Sequence, residues 1–164
     1  MTRFLDHYFQ CLKWLLAGLL MVMIVPVSLQ ILSRFTGVIP KYIWTEEAAR
    51  FCFVWMIMIG SIIAVREEAH FDVDVMALPD EPRGKARARI LIHVAMGVFG
   101  VVFLWFGWEF VRFGRSQHSE MSGINLATIY FSFPFAGLNW CVFLLEKIAG
   151  DLRILRFTSG KEAG

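Results

Sequence analysis

Residues 14–32 read WLLAGLLMVMIVPVSLQIL, a continuous run without a charged side chain. A helix rises about 1.5 Å per residue, so a run of this length spans the roughly 30 Å hydrocarbon core of a bilayer. The run is too long for the apolar part of a secretory signal peptide, and no small-residue cleavage site follows it. We therefore expect a retained membrane-spanning helix.

Three further apolar runs reach spanning length once their polar flanks are included. The four predicted spans cover residues 13–33, 45–66, 90–111 and 124–146. The sequence is 57% hydrophobic and only 18% charged, with a mean hydropathy of +0.59, whereas about a quarter of a soluble domain is charged. Because unpaired backbone groups are costly in lipid, the spans must be helical. The predicted fold is all-α, a single membrane domain over residues 1–164 formed by a four-helix bundle.

The distribution of Lys and Arg predicts how the spans are oriented. Four spans place both termini on one side, and that side carries eleven Lys and Arg residues against five on the other. Positive segments stay in the cytoplasm, so both termini are expected there. On the same side, the segment Phe4–Leu12 and the connection with Phe71, Val75 and Leu78 have apolar residues at helical spacing. Both predict short helices on the membrane surface.

The entry to the second span contains a cluster of ionisable residues, in the stretch WTEEAAR at residues 44–50. Thr45 is the residue type expected at a helix N-cap, and Glu46 and Glu47 would follow in the first turn, where the helix dipole favours negative charge. Arg50 comes four and three residues later on the same side of the helix, so an ion pair is expected.

One face of this predicted helix continues from its polar entry into the membrane. It is formed by Glu46, Arg50, Phe53, Ile57, Gly60 and Ala64. Gly60 and Ala64 are four residues apart, and small residues at that spacing let another helix approach closely. From these residues alone, the face is either a seam inside the bundle or an interface with a partner protein.

The remaining polar residues of the spans fit structural roles. Glu109 and Arg112 predict a local ion pair, while Gln30 and Asn139 predict hydrogen bonds between helices. His93 lies one turn inside the edge of its span and is expected at the membrane interface. Histidines are scattered and cysteines are unpaired, so the sequence predicts no catalytic residue, no metal site and no bound cofactor.

The second span and the segment after it resemble one known family. The residues that carry the resemblance are, in order, Glu46, Glu47, Arg50, Trp55, Gly60, Arg66, His70, Asp72 and Asp74. Their order is similar to that of the small membrane subunit of tripartite ATP-independent periplasmic (TRAP) transporters, the DctQ-like proteins. Length, number of spans and cytoplasmic termini agree over the whole chain.

The resemblance implies a non-catalytic scaffold in the bacterial inner membrane. Such a subunit joins a large membrane subunit that carries the substrate and sodium sites, and a periplasmic binding protein delivers an organic acid. The residues of the second span that would then lie at the contact with the large subunit are Glu46, Glu47, Arg50, Phe53, Trp55, Ile57, Gly60 and Ala64. Arg66, His70, Asp72 and Asp74 would lie at the cytoplasmic exit of that span. Membrane lipids are the other expected partners, and nucleic acid is not.

Two other functions remain open from the residues alone. An independent membrane redox enzyme would show the visible absorption of a bound haem or flavin. A small homo-oligomeric exporter would transport in vesicles that contain this chain alone.

Overall fold

The computed structural model describes residues 2–36, 42–67, 82–119 and 123–161, which fold into helices and short connections. The helices are α1 (Thr2–Thr36), α2 (Ile43–Glu67), α3 (Pro82–Gly114), α4 (Ala127–Tyr130) and α5 (Ser132–Lys161). Within these ranges, β-pairing is limited to one isolated bridge between His118 and Asn125. The all-α prediction is confirmed.

Four segments of the described chain are long and apolar enough to cross a membrane. They are Leu5–Thr36, Trp44–Glu67, Arg89–Gly114 and Ala127–Leu152. Each overlaps one predicted span, so the fold class of four membrane helices is confirmed. The last segment is interrupted at Phe131, between α4 and α5. Pro134 accounts for the break, because it has no N–H to donate to the carbonyl of Tyr130.

The amino-terminal end of α1 differs from the prediction. The sequence predicts a separate surface helix over Phe4–Leu12, but this segment is continuous with α1. Leu5 and Leu12 are only 9% and 3% exposed, and they belong to the core formed with α2 and α5. The apolar stripe therefore packs against protein, which buries it more completely than a membrane surface would. The other predicted surface helix, at Phe71, Val75 and Leu78, lies outside the described residues.

The long helices are arranged as a series of neighbours rather than a closed square. α1 packs on α2, α2 packs on α5, and α5 packs on α3. Across the described ranges, α3 makes no backbone approach to α1 or α2. Within an 18-residue apolar stretch of each membrane segment, the buried share is 39% for the segment that contains α5 and 6% for the segment in α1. The centre of the structure is therefore α5, and α1 and α3 lie at its margins.

The contact between α3 and α5 is close because glycines lie on both helices. A Cβ added to Gly137 would lie 2.7 Å from the carbonyl oxygen of Gly100 and 2.7 Å from the nitrogen of Leu104. At Gly107 the added atom would lie 2.7 Å from Pro134. Small residues let membrane helices gain van der Waals contact that larger side chains would prevent.

The two ends of the bundle are distinguished by their contacts. At one end, Arg66 contacts the start of α1, and His93 near the start of α3 contacts Asp151 of α5. We call this the terminal end, because Leu5 and Asp6 of α1 and Lys147 of α5 all contact the last turn of α2 there. The opposite end contains the last turn of α1, the first turn of α2 and the short helix α4. Before α4 the chain turns at Gly123, whose φ of 70° suits glycine.

Candidate partner-binding face of the second helix

The outward face of α2 consists of the six residues predicted to share one side of the helix. Glu46, Arg50, Phe53 and Ile57 are exposed, while Gly60 and Ala64 are half-buried. Phe53 and Ile57 are large apolar side chains, yet they are 51% and 47% exposed. A Cβ added at Gly60 would meet no atom within 4 Å. The face is therefore turned away from the other helices of this chain, and it is not a seam within the described bundle.

The polar entry of this face forms the predicted local ion pair. Nη2 of Arg50 lies 3.2 Å from Oε1 of Glu46, one turn earlier. Both side chains are about two-thirds exposed, and a pair of this kind contributes about 0.5 kcal/mol. The fold thus gains little from the pair, and both charges remain accessible.

The predicted N-cap at Thr45 is wrong. α2 begins at Ile43, two residues earlier. The hydroxyl of Thr45 donates a hydrogen bond of 2.6 Å to the carbonyl oxygen of Tyr42, rather than accepting one from a later N–H. The helix extends past the polar stretch because Ile43 and Trp44 continue its apolar sequence.

Glu47 lies beside this face rather than on it. Its carboxylate borders a cavity of about 60 Å³ between α2 and the α3–α4 connection. The cavity is lined by Glu47, Arg50, Phe51, Ser119, Ile124, Leu126 and Ile129. Oε2 of Glu47 is buried and has no hydrogen-bond partner among the described residues. Since liquid water occupies about 30 Å³ per molecule, the cavity has room for about two waters.

Trp55 lies on the opposite side of α2 from Phe53. Its indole Nε1 donates a hydrogen bond of 3.3 Å to the carbonyl oxygen of Thr128 in α4. Its ring centroid lies 5.8 Å from that of Phe135 and 6.4 Å from that of Phe131. Although the resemblance groups Trp55 with the contact residues, the structure gives it an intramolecular role that holds α2 against α4 and α5.

Arg66 connects three helices at the terminal end. Its side chain is only 15% exposed, and its guanidinium lies 4.6 Å and 4.9 Å from the ring centroids of Phe9 and Phe143. It donates hydrogen bonds to the carbonyl oxygen of Leu5 and to the carboxylate of Asp6. Arg66 therefore holds α1 against α2 and α5. The other predicted exit residues, His70, Asp72 and Asp74, lie outside the described residues.

His93, which the sequence predicts at the membrane interface, is enclosed by the helices of this chain. It is 4% exposed, and its Nδ1 lies 3.3 Å from Oδ2 of Asp151, which is 6% exposed. Sequence reasoning missed Asp151 because the two residues are far apart in the chain and neither belongs to a motif. The pair joins α3 to α5 at the terminal end.

Two predicted polar contacts of the spans are present. Nη1 of Arg112 lies 3.1 Å from Oε1 of Glu109. The hydroxyl of Tyr8 donates a hydrogen bond of 2.7 Å to Oδ1 of Asn139, which connects α1 to α5. Gln30 differs, because its Nε2 is buried without a hydrogen-bond partner among the described residues.

The fold and these contacts define a multi-pass helical membrane protein whose second helix has an outward face that the other described helices leave exposed. The family of DctQ components of tripartite ATP-independent periplasmic transporters matches residues 23–154, and the chain belongs to this family. It is therefore a component of a transporter and not an enzyme.

Individual relatives agree with the family. A TRAP transporter small permease protein of Haemophilus influenzae is 24% identical over 153 residues, which cover 93% of this chain and 94% of that protein. The sialic acid TRAP transporter small permease protein SiaQ of Vibrio cholerae is 26% identical over 115 residues, 69% of this chain and 65% of that protein. The isethionate TRAP transporter permease protein DctMQ of Oleidesulfovibrio alaskensis is 24% identical over 148 residues. That match covers 86% of this chain but 23% of the relative, so a region similar to this chain is part of a longer polypeptide there.

Proposed function

We propose that this chain is the small membrane subunit of a sodium-coupled, binding-protein-dependent TRAP transporter, and that the outward face of α2 binds the large membrane subunit. The observation that carries the proposal is the open surface at Gly60. A small-xxx-small pair favours close helix contact, yet no described part of this chain packs against Gly60. The joined polypeptide in Oleidesulfovibrio supports a larger membrane protein as the companion, because such a companion is covalently attached there.

The chemistry of the face suits a partner inside the membrane. Lipid tails are as apolar as Phe53 and Ile57, so exposure of these side chains does not by itself drive association. Close approach at Gly60 and Ala64 would supply van der Waals contact, and the accessible Glu46 and Arg50 would supply polar contacts at the edge. The two together favour a stable interface over transient collisions.

We further propose that both termini are cytoplasmic and that the membrane is the bacterial inner membrane. In the sequence, eleven Lys and Arg residues flank the spans on the side of the termini, against five on the other side, and positive segments stay in the cytoplasm. Glu46 and Arg50 would then face the periplasmic side, where a soluble binding protein delivers the substrate. Relatives named for sialic acid and isethionate support an organic acid as that substrate.

The interface is tested by co-purification of a tagged chain with the large subunit expressed beside it. Gly60→Leu should reduce the recovered large subunit about tenfold, since overpacking costs about 1–3 kcal/mol. Gly18→Leu is the matched control, because a Cβ at Gly18 also meets nothing within 4 Å but lies on α1. Arg50→Ala should weaken recovery to a smaller extent. Unchanged recovery with Gly60→Leu would reject this face as the interface.

Transport assays separate the subunit from a self-sufficient exporter. Vesicles that contain the large subunit and the binding protein should take up substrate only when this chain is present. Transport by vesicles that contain this chain alone would contradict the proposal.

A further inference from the structure

The side of α2 that is turned toward α3 borders an open crevice. α2 and α3 both pack on α5, but across the described ranges their backbones do not approach each other. In the half nearer the terminal end, the gap contains a cavity of about 300 Å³. The cavity is lined by Ser61 and Val65 of α2, Phe99 of α3 and Leu144 of α5. The described helices therefore leave the space between α2 and α3 unfilled.

The same side of α2 borders a second cavity near the other end of the helix. This is the cavity of about 60 Å³ beside Glu47. Val65 follows Glu47 by 18 residues, which is about five helical turns, so the two positions share one side of α2 and are roughly 27 Å apart. Val54 lies between them on that side and is only half-buried. Because the hydrocarbon core is about 30 Å thick, this side of α2 is incompletely covered across most of the membrane.

Glu47 gives the second cavity a charged group without a partner. Its Oε2 is buried and accepts no hydrogen bond from the described residues. Arg50 also lines the cavity, but its guanidinium pairs with Glu46 at 3.2 Å. A buried carboxylate is costly unless a donor or a cation lies beside it. The missing partner of Glu47 is therefore expected from outside the described chain.

The size of the cavity favours an ammonium over a guanidinium as that partner. A water molecule occupies about 30 Å³ in the liquid, so the cavity holds about two groups of that size. An ammonium and the methylene next to it fit this volume, whereas the planar guanidinium is larger. A lysine side chain would replace the waters and would also supply the countercharge that water lacks.

From these observations we propose that the crevice between α2 and α3 binds one transmembrane helix of the large subunit, with a lysine of that helix beside Glu47. The inference rests on the proposed function, which supplies the large subunit as the partner. The crevice is continuous with the outward face of α2, because Ser61 and Val65 directly follow Gly60 and Ala64 in the sequence. A helix in the crevice contacts α2, α3 and α5 together, and the charge of Glu47 fixes its position along them.

The ion pair is tested by co-purification of a tagged chain with the large subunit expressed beside it. Glu47→Gln should reduce the recovered large subunit about tenfold, because the ammonium is then buried without a countercharge. Glu47→Asp keeps the charge and should retain more of the recovery than Glu47→Gln. Glu109→Gln is the matched control, since Glu109 is an exposed carboxylate near the same end of the bundle, and it should leave recovery unchanged. Full recovery with Glu47→Gln would overturn the proposal.

The position of the bound helix is tested by photo-cross-linking from α3. Phe99→p-benzoylphenylalanine, at an exposed position that lines the crevice, should capture the large subunit. Trp105→p-benzoylphenylalanine, at an exposed position about 120° away around α3, should not. Equal capture from the two positions, or capture of lipid alone from the first, would overturn the proposal. If Gly60→Leu abolishes recovery while the Phe99 variant captures no large subunit, the outward face is the interface and only this inference fails.

Discussion

Arg66, in the last turn of α2, donates a hydrogen bond to the carbonyl oxygen of Leu5, 61 positions earlier in the chain. The same guanidinium lies against the rings of Phe9 and Phe143. One side chain thus fixes the start of α1 against both α2 and α5. α1 needs such a contact, because it packs on a single long neighbour over most of its length.

Replacing Arg66 should loosen the start of α1. Arg66→Ala is expected to lower the free energy of unfolding by about 2 kcal/mol, since a hydrogen bond from a charged donor contributes about that much. Arg66→Lys should be more stable than Arg66→Ala but less stable than the parent chain. One ammonium group cannot reach both the carbonyl of Leu5 and the carboxylate of Asp6 as a guanidinium does. Unfolding in mixed detergent micelles, followed by helical circular dichroism, measures the difference. Arg50→Ala is the control and should lower the free energy of unfolding by about 0.5 kcal/mol. Equal losses for the two arginines would contradict this role of Arg66 at the start of α1.

The buried pair of His93 and Asp151 should show energetic coupling. His93→Ala leaves the carboxylate of Asp151 buried without its partner, and such a loss costs about 3 kcal/mol. Asp151→Ala removes the carboxylate itself and should cost less. The loss of unfolding free energy in the double variant should be about 1 kcal/mol smaller than the sum of the losses in the two single variants. A double-mutant cycle on the full-length chain measures this coupling, and strict additivity would show that the 3.3 Å approach contributes nothing.

Contacts between near neighbours were predictable from the sequence. Continuous apolar runs fixed the four spans, and a spacing of three or four residues fixed the pairs Glu46–Arg50 and Glu109–Arg112. These features depend only on helix length and periodicity, which are local.

Contacts between distant residues were not predictable in the same way. The partners of Arg66 and His93 lie on other helices, and no local pattern states that α2 packs on α5 rather than on α3. The direction of the α2 face was likewise open, because Gly60 suits a seam within the bundle as well as an interface. Only the arrangement of helices, which leaves Gly60 without a neighbour, distinguishes the two.

Glycines on α5 and α2 should respond in opposite ways to the same substitution. Gly137→Ala places a methyl group 2.7 Å from the backbone of α3, so it should destabilise the chain by about 1–3 kcal/mol. Gly60→Ala meets open space and should be neutral or stabilise by up to about 1 kcal/mol, because alanine is the better helix former. Unfolding of the two variants in the same micelles provides the comparison. If Gly137→Ala is as stable as the parent chain, then α3 and α5 are not as close as the structure places them.

Phe53 and Trp55 should separate partner binding from folding, since they are two residues apart on opposite sides of α2. Trp55→Ala removes the hydrogen bond to Thr128 and the contacts with Phe135, so it should lower stability by about 3 kcal/mol. Phe53→Ala removes an exposed ring and should change the stability of the isolated chain by less than about 0.5 kcal/mol.

Recovery of the large subunit should follow the opposite order when measured on the fraction of each variant that remains folded. Phe53→Ala should reduce it because the ring belongs to the outward face, whereas Trp55→Ala should reduce it only as far as folding is lost. A variant of Phe53 that binds the large subunit like the parent chain would place the interface on another surface of the bundle, even if the contacts of Trp55 are as described.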